Sequence, residues 1–249
     1  MGFWLWKKRN KKDEIIDEEK PTVNFAQLLE KVALVNPKLR VRFSTSHPKD
    51  MTDEVLEIIE KHENICNYIH LPVQSGNTDV LKRMNRGYSR EWYLDRISAI
   101  RRIITDCAIS TDIIAGFCNE TDEEHNDTVS LLKEVKFDVA YMFKYSERPK
   151  TLAQRKFEDS VPEEVKSKRL REIMDEQFAN SAKVHKSVVG NTYEILIEDT
   201  SKKDENQFKG RNSQNMVAVF PKLGYKKGDY VNVKIESCTS ATLIGNIVE

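Results

Sequence analysis

Cysteine is scarce and scattered in this chain. Its four cysteines, Cys66, Cys107, Cys118 and Cys238, all stand more than ten residues apart. That spacing excludes a zinc knuckle or a closely spaced iron–sulfur run. Charge of one sign is also lacking: 40 Lys plus Arg balance 40 Asp plus Glu. Bulk charge gives no support to nucleic-acid binding, which leaves only local basic patches for that role. No apolar run approaches the ~20 residues that cross a bilayer. The opening Phe3–Trp6 is too short for a signal-peptide core. The sequence therefore predicts a cytoplasmic protein with reduced, mostly buried cysteines and no membrane or zinc site. His62, His125 and His185 are expected on helix surfaces.

Residues 1–20 hold a basic block followed by an acidic one and are expected to be unstructured or misassigned. From Arg42 to Glu120 the chain shows three apolar strand-like segments, each ending in a polar turn and separated from the next by helical patterns. Such alternation is the pattern of a parallel sheet with crossover helices. The strands are expected near residues 40–45, Tyr68–Val73 and Cys107–Ala115, with a fourth over Asp138–Tyr145. Helices are expected over Asn24–Val35, after Thr52, after Ser89, after the Thr121–Glu124 capping box, and from a second capping box at Ser160–Glu163 to about Ser181. The polarity of this last helix suggests that it runs along the surface. From about Gly190 the apolar period changes to two, with Tyr193, Ile195 and Ile197 alternating with polar neighbours, which predicts a small antiparallel barrel of the oligonucleotide-binding kind.

Five words in fixed order carry a resemblance: Arg42–Asp50 (RFSTSHPKD), His70–Gly76 (HLPVQSG), Ser110–Phe117 (STDIIAGF), Tyr145–Pro149 (YSERP) and Gly210–Asn215 (GRNSQN). Together they resemble the radical-SAM methylthiotransferases, most closely the MiaB group that acts on tRNA, with a C-terminal TRAM domain. The resemblance implies an α/β fold: a partial radical-SAM barrel of about four of six βα units over residues 21–183. An OB-like RNA-binding TRAM barrel follows over 186–249. It implies S-adenosylmethionine and two 4Fe–4S clusters as cofactors, and the anticodon loop of tRNA as partner. It also implies conversion of N6-isopentenyladenosine to its 2-methylthio derivative. The family's cluster cysteines are absent from this chain. The expectation is therefore a C-terminal portion without radical chemistry of its own, or, alternatively, an RNA-binding remnant. An unrelated α/β hydrolase or aldolase finds no nucleophile–base word here.

In parallel sheets the chemistry sits just past the carboxyl ends of the strands. There the resemblance implies a cofactor pocket of Ser46, His47, Gln74, Ser75 and Asp112, with Gly116 allowing close approach of the adenine. His47 reads equally as a turn residue before Pro48, and Asp112 equally as a carboxylate tied to backbone amides. Arg148 either meets a phosphate or carboxylate of the substrate or clamps the last helix. In the tail, Lys202, Lys203, Lys209 and Arg211 surround Phe208, a mixture suited to phosphate contact and base stacking. Asp204 and Glu205 dilute that charge, and a solvated loop is the competing reading; the TRAM likeness favours RNA, with Asn215 added to the set.

Overall fold

The computed structural model, a helix-covered parallel sheet followed by a closed barrel, describes residues 22–44 and 47–249. The expectations for residues 1–20 and for Ser46 lie outside the described residues.

Helix α1 (Phe25–Ala33) opens on a reciprocal cap: the Gln27 N–H donates to Asn24 Oδ1 at 2.8 Å and the Asn24 N–H to Gln27 Oε1 at 3.2 Å. Helix α2 (Asp53–Lys61) has Asp53 and Glu54 in its first turn, complementing the helix dipole, and buries Val55, Leu56 and Ile59. Next come β1 (Tyr68–His70), α3 (Thr78–Arg83), α4 (Arg90–Ile103) capped by Ser89, and β2 (Ala108–Ala115). Helix α5 (Asp122–Val135) opens on the predicted Thr121–Glu124 capping box and leads to β3 (Val139–Lys144). The three strands are parallel, in the order β1-β2-β3. Ile69, Ile109 and Ile113 project from one face into a core shared with Leu56, Tyr93, Ile100, Leu132 and Phe137.

The sequence predicts four parallel strands, and among the described residues three form. Val41 makes only an isolated parallel bridge with Ile65. Its neighbours Arg40 and Arg42 turn away from the sheet to bind the tail barrel. Strand β1 is also shorter than expected. Pro72 lacks an N–H, so the ladder breaks there. The Thr111 hydroxyl bridges the gap, accepting from Val73 N–H and donating to the Leu71 carbonyl, each at 2.9 Å. Pairing resumes at a bridge between Gln74 and Ile113.

After the short α6 (Leu152–Lys156), helix α7 (Glu163–Ser187) runs past its predicted end and opens without the predicted cap. Pro162 occupies the cap position, and the Ser160 hydroxyl instead donates to Asn119 Oδ1 at 2.6 Å. Nor is its polar stripe on the surface. Arg169, Gln177 and Asn180 are buried because they satisfy inward-facing oxygens: those of Glu120, Phe137 and Leu132. Polarity alone does not distinguish a solvated stripe from one that meets carbonyls. His125 departs from its expected surface position for a similar reason, being buried with Nε2 2.7 Å from Glu172.

The tail forms the predicted period-two strands: β4 (Thr192–Thr200), β5 (Gln207–Arg211), β6 (Val217–Pro221), β7 (Tyr230–Cys238) and β8 (Leu243–Val248). They close as β4-β5-β6-β8-β7, antiparallel throughout except for the parallel pair β6–β8. Ile195, Ile197, Phe208, Phe220, Val231, Val233 and Ile235 fill the interior. Gly210 lets β5 cross β4 closely, since a Cβ there would stand 2.3 Å from the Leu196 carbonyl oxygen.

Candidate functional site

On the face of the sheet opposite the buried isoleucines, β1 and the middle of β2 carry the polar residues Tyr68, His70, Ser110 and Asp112, flanked by Ala108 and Ile114. Tyr68 OH lies 2.7 Å from Ser110 Oγ, Ser110 Oγ lies 2.8 Å from His70 Nδ1, and His70 Nε2 lies 3.5 Å from Asp112 Oδ1. A consistent arrangement has the Tyr68 hydroxyl donating to Ser110, Ser110 donating to His70 Nδ1, and the His70 Nε2–H facing Asp112. Tyr141 continues the row on β3 as the register partner of Asp112, its ring edge-on to His70 with centroids 5.8 Å apart. Ser110 is fully buried, which excludes it as a nucleophile toward a bulky substrate. The row is a preorganised polar wall beside exposed aromatic surface. Sequence reasoning singled out Asp112 and missed Tyr68, His70, Ser110 and Tyr141. The signal available was a polar residue at alternate positions in otherwise apolar strands.

The expected cofactor residues separate into two groups. Gln74 and Asp112 cap no helix: Gln74 is buried beyond β1, and Asp112 is half-buried with its carboxylate facing His70. Gln74 also has φ 73°, a left-handed conformation uncommon for a non-glycine residue, at the end of β1 where functional strain concentrates. The others serve the fold. His47 caps the turn at Pro48–Asp50: its Nδ1 accepts from the Lys49 N–H and its Nε2 meets the Arg86 carbonyl at 3.1 Å. Ser75 is fully buried, its Oγ 3.3 Å from Thr128 Oγ1. The space beside Gly116 is already filled, since a Cβ there would lie 2.4 Å from Lys166 Cγ. That glycine, at φ 73°, makes way for Lys166 of α7. Arg148 sits in the exposed turn after β3, where its carbonyl accepts from the Thr151 hydroxyl at 2.9 Å. No ion pair of its side chain occurs among the described residues.

The tail residues also divide. Lys202 and Lys203 are exposed in the β4–β5 loop, and Lys209 is half-exposed on β5. Phe208 points the other way. It is packed in the barrel core against Phe220, with ring centroids 6.4 Å apart, and no base can stack on it there. The period-two register that turns Lys209 outward turns Phe208 inward. Arg211 and Asn215 belong to a docking loop. Arg211 pairs with Glu198 at 3.2 Å and holds the Asn215 carbonyl at the same distance. The Arg211 and Asn212 carbonyls accept from Arg40 and Arg42 at 2.9 and 2.8 Å. Ser213 Oγ accepts from the Asn67 N–H at 2.8 Å, and Gln214 donates to Asp106 at 2.6 Å. Arg40 also pairs with Glu194 at 2.7 Å and covers the Tyr230 ring. Every core residue in this clasp lies before β1 or β2, at the amino ends of the strands.

The cysteines do not gather. Cys66 and Cys118 are buried, and Cys66 Sγ accepts from Arg42 Nε at 3.2 Å. Burial pushes the Cys107 thiol up to about 12. Among the described residues no three His, Cys, Asp or Glu side chains are grouped to hold a metal. The donor set of an iron–sulfur cluster therefore does not fit them.

Comparison with known proteins accords with this geometry. Residues 14–132 match the Radical SAM superfamily and residues 186–248 match the TRAM domain. The chain is a radical SAM region joined to a TRAM barrel. A tRNA-2-methylthio-N(6)-dimethylallyladenosine synthase of Amoebophilus asiaticus is 54% identical over 239 residues, 96% of this chain and 49% of that protein. The synthase of Christiangramia forsetii is 52% identical, with 98% of this chain and 52% of the relative covered. The chain spans about half the length of the curated relatives it matches. Among solved structures, coproporphyrinogen III oxidase (HemN) from Escherichia coli, a radical SAM enzyme, superposes with a TM-score of 0.52 at 19% identity. The match covers 76% of this chain and 51% of that one, and supports the fold of the radical SAM region. Among the described residues no helix is long and apolar enough to cross a membrane.

Proposed function

We propose that this chain supplies the substrate-facing wall and the RNA grip of a tRNA methylthiotransferase that converts N6-isopentenyladenosine beside the anticodon to its 2-methylthio derivative. The observation that carries this reading is the clasp of Arg40, Arg42, Asn67 and Asp106 on the loop 211–215. It makes the TRAM barrel and the polar face of the sheet one body, so RNA held by the first is presented to the second. The relatives' names supply the substrate, and the exposed Lys202 and Lys203 supply phosphate contacts. Gln74 and Asp112 are the residues left to face a cofactor or nucleoside. Cluster chemistry must come from ligands outside the described residues, and no step through it is assigned to this chain.

Two measurements test the reading. tRNA binding should weaken steeply with salt, and replacing Lys202 and Lys203 by Ala should flatten the slope by about 0.7 for each phosphate contact removed from single-stranded RNA. Mixing the chain with the cluster-bearing half of a relative should yield 2-methylthio nucleoside by mass spectrometry, while the chain alone yields none. Salt-independent binding, or no binding, would count against the proposal.

A further inference from the structure

The polar row does not run the whole length of the sheet. Register sets three pairs side by side on this face of β2 and β3: Ser110 with Val139, Asp112 with Tyr141, and Ile114 with Phe143. The last pair, nearest the carboxyl ends of the strands, is wholly apolar. Ile114 is half-buried, and Phe143 is 54% exposed. β3 is an edge strand, so among the described residues no further strand lies beside Phe143.

A single exposed apolar side chain is ordinary. This one adjoins a second apolar residue at the end of a parallel sheet where ligands bind. The pair also borders Gln74: the Ile114 N–H donates to the Gln74 carbonyl at 2.9 Å, next to the left-handed φ of 73°. The face is thus polar through its middle, over His70, Ser110 and Asp112, and apolar past it. That order matches the nucleoside in the relatives' names, N(6)-dimethylallyladenosine. Its adenine ring offers hydrogen-bonding nitrogens, while the dimethylallyl (isopentenyl) substituent carries no donor or acceptor. Such a chain gains by leaving water against apolar side chains and gains nothing from the polar row.

We infer that Ile114 and Phe143 receive the dimethylallyl chain of the reacting nucleoside, and that Phe143 sets the preference for prenylated adenosine over adenosine. This rests on the proposed substrate and deepens it, giving the substituent that marks the substrate a contact of its own. A ring that merely stacked on the base would hold both nucleosides alike, so discrimination between them is the mark of contact with the chain.

The whole protein is titrated with N6-isopentenyladenosine and with adenosine, and the Phe143→Ala variant is titrated alongside. Phe143 is more than half exposed, and unchanged circular dichroism confirms that the variant is folded. One methylene in an apolar site is worth about tenfold or more, so on this half-open surface the whole substituent should favour the isopentenyl nucleoside about tenfold. Removing the ring deletes most of the apolar contact, so Phe143→Ala should cut that preference to about threefold or less, with adenosine affinity unchanged. No saturable binding of the isopentenyl nucleoside at millimolar concentration, equal affinity for the two nucleosides, an unchanged preference in the variant, or equal weakening of both nucleosides each overturns the inference. Salt-dependent tRNA binding measured in the same buffer separates this inference from the reading it rests on. If tRNA binds but the nucleosides are not distinguished, the role of Ile114 and Phe143 alone is wrong. If the nucleosides are distinguished through Phe143 but tRNA does not bind, the tRNA assignment alone is wrong.

Discussion

Arg42 and Asn212 join the two domains: the guanidinium donates through Nη2 to the Asn212 carbonyl at 2.8 Å while its Nη1 pairs with Glu198 at 3.3 Å. A hydrogen bond from a charged group contributes about 1.5–3 kcal/mol when partly buried. Arg42→Ala should therefore weaken docking by about 2 kcal/mol. Amide hydrogen exchange should rise in residues 211–215 and stay unchanged in the β7–β8 pair. Uniform exchange across the barrel would show that the loop is not held by this residue.

Gly116→Ala tests whether that glycine serves the packing of α7. The added methyl meets Lys166, whose Nζ is fixed to Asp159 at 2.6 Å, in a backbone conformation that L residues rarely adopt. Left-handed strain alone costs of order 1–3 kcal/mol. Urea unfolding should register a loss of about 2 kcal/mol or more, and an unchanged midpoint would return the space beside Gly116 to a ligand.

Acid should act through Glu124. The carboxylate accepts both Arg83 guanidinium nitrogens, at 2.8 and 2.6 Å, and the Arg83 hydrogen bonds hold it below its ordinary 4.5. A depressed carboxyl stabilises the fold fully above its unfolded value and loses that contribution as pH falls through its folded value. Glu120 runs the other way: burial raises it, so its contribution is present below 4.5 and is lost as pH rises through the raised value. Thermal midpoints from pH 3 to 7 should show a flatter acid limb for Glu124→Gln, and flattening on the side above 4.5 for Glu120→Gln.

The thiols should behave as isolated groups. Anaerobic treatment with iron and sulfide should leave the chain without stoichiometric cluster absorbance, and Cys107, with its pKa pushed up to about 12, should resist alkylation at pH 8 while folded. A full complement of cluster absorbance would refute the reading of the donor set.

The parts of the fold legible in the sequence were those set by local rules. Asn24, Ser89 and Thr121 cap their helices, and the alternation through Ile195 and Ile197 gives the barrel. What stayed hidden depends on partners distant in sequence. Arg42 reads as part of a strand until Asn212 is beside it, and Gln177 and Asn180 read as solvated until the carbonyls of Phe137 and Leu132 are known. At the site, the strand pattern drew attention to Gln74 and Asp112; in the structure Gln74 is buried and Asp112 is half-buried beside His70. Ser75, His47 and Gly116 make contacts within the fold that the sequence did not show, because a polar or flexible residue at a strand end serves packing and ligands alike. Phe208 was misplaced by treating its neighbourhood as a loop when it is a strand, in which one step of register separates solvent from interior.

The clasp between the halves grips peptide oxygens as well as side chains: Arg40 and Arg42 take the main-chain carbonyls of Arg211 and Asn212, Tyr230 takes that of Lys38 at 3.1 Å, and Ser213 and Gln214 join through their side chains. A joint of that kind is set by the loop's backbone path together with the side chains of Ser213 and Gln214. Tail barrels of altered surface could be grafted onto the same core, giving variants with new RNA preferences and an unchanged seat.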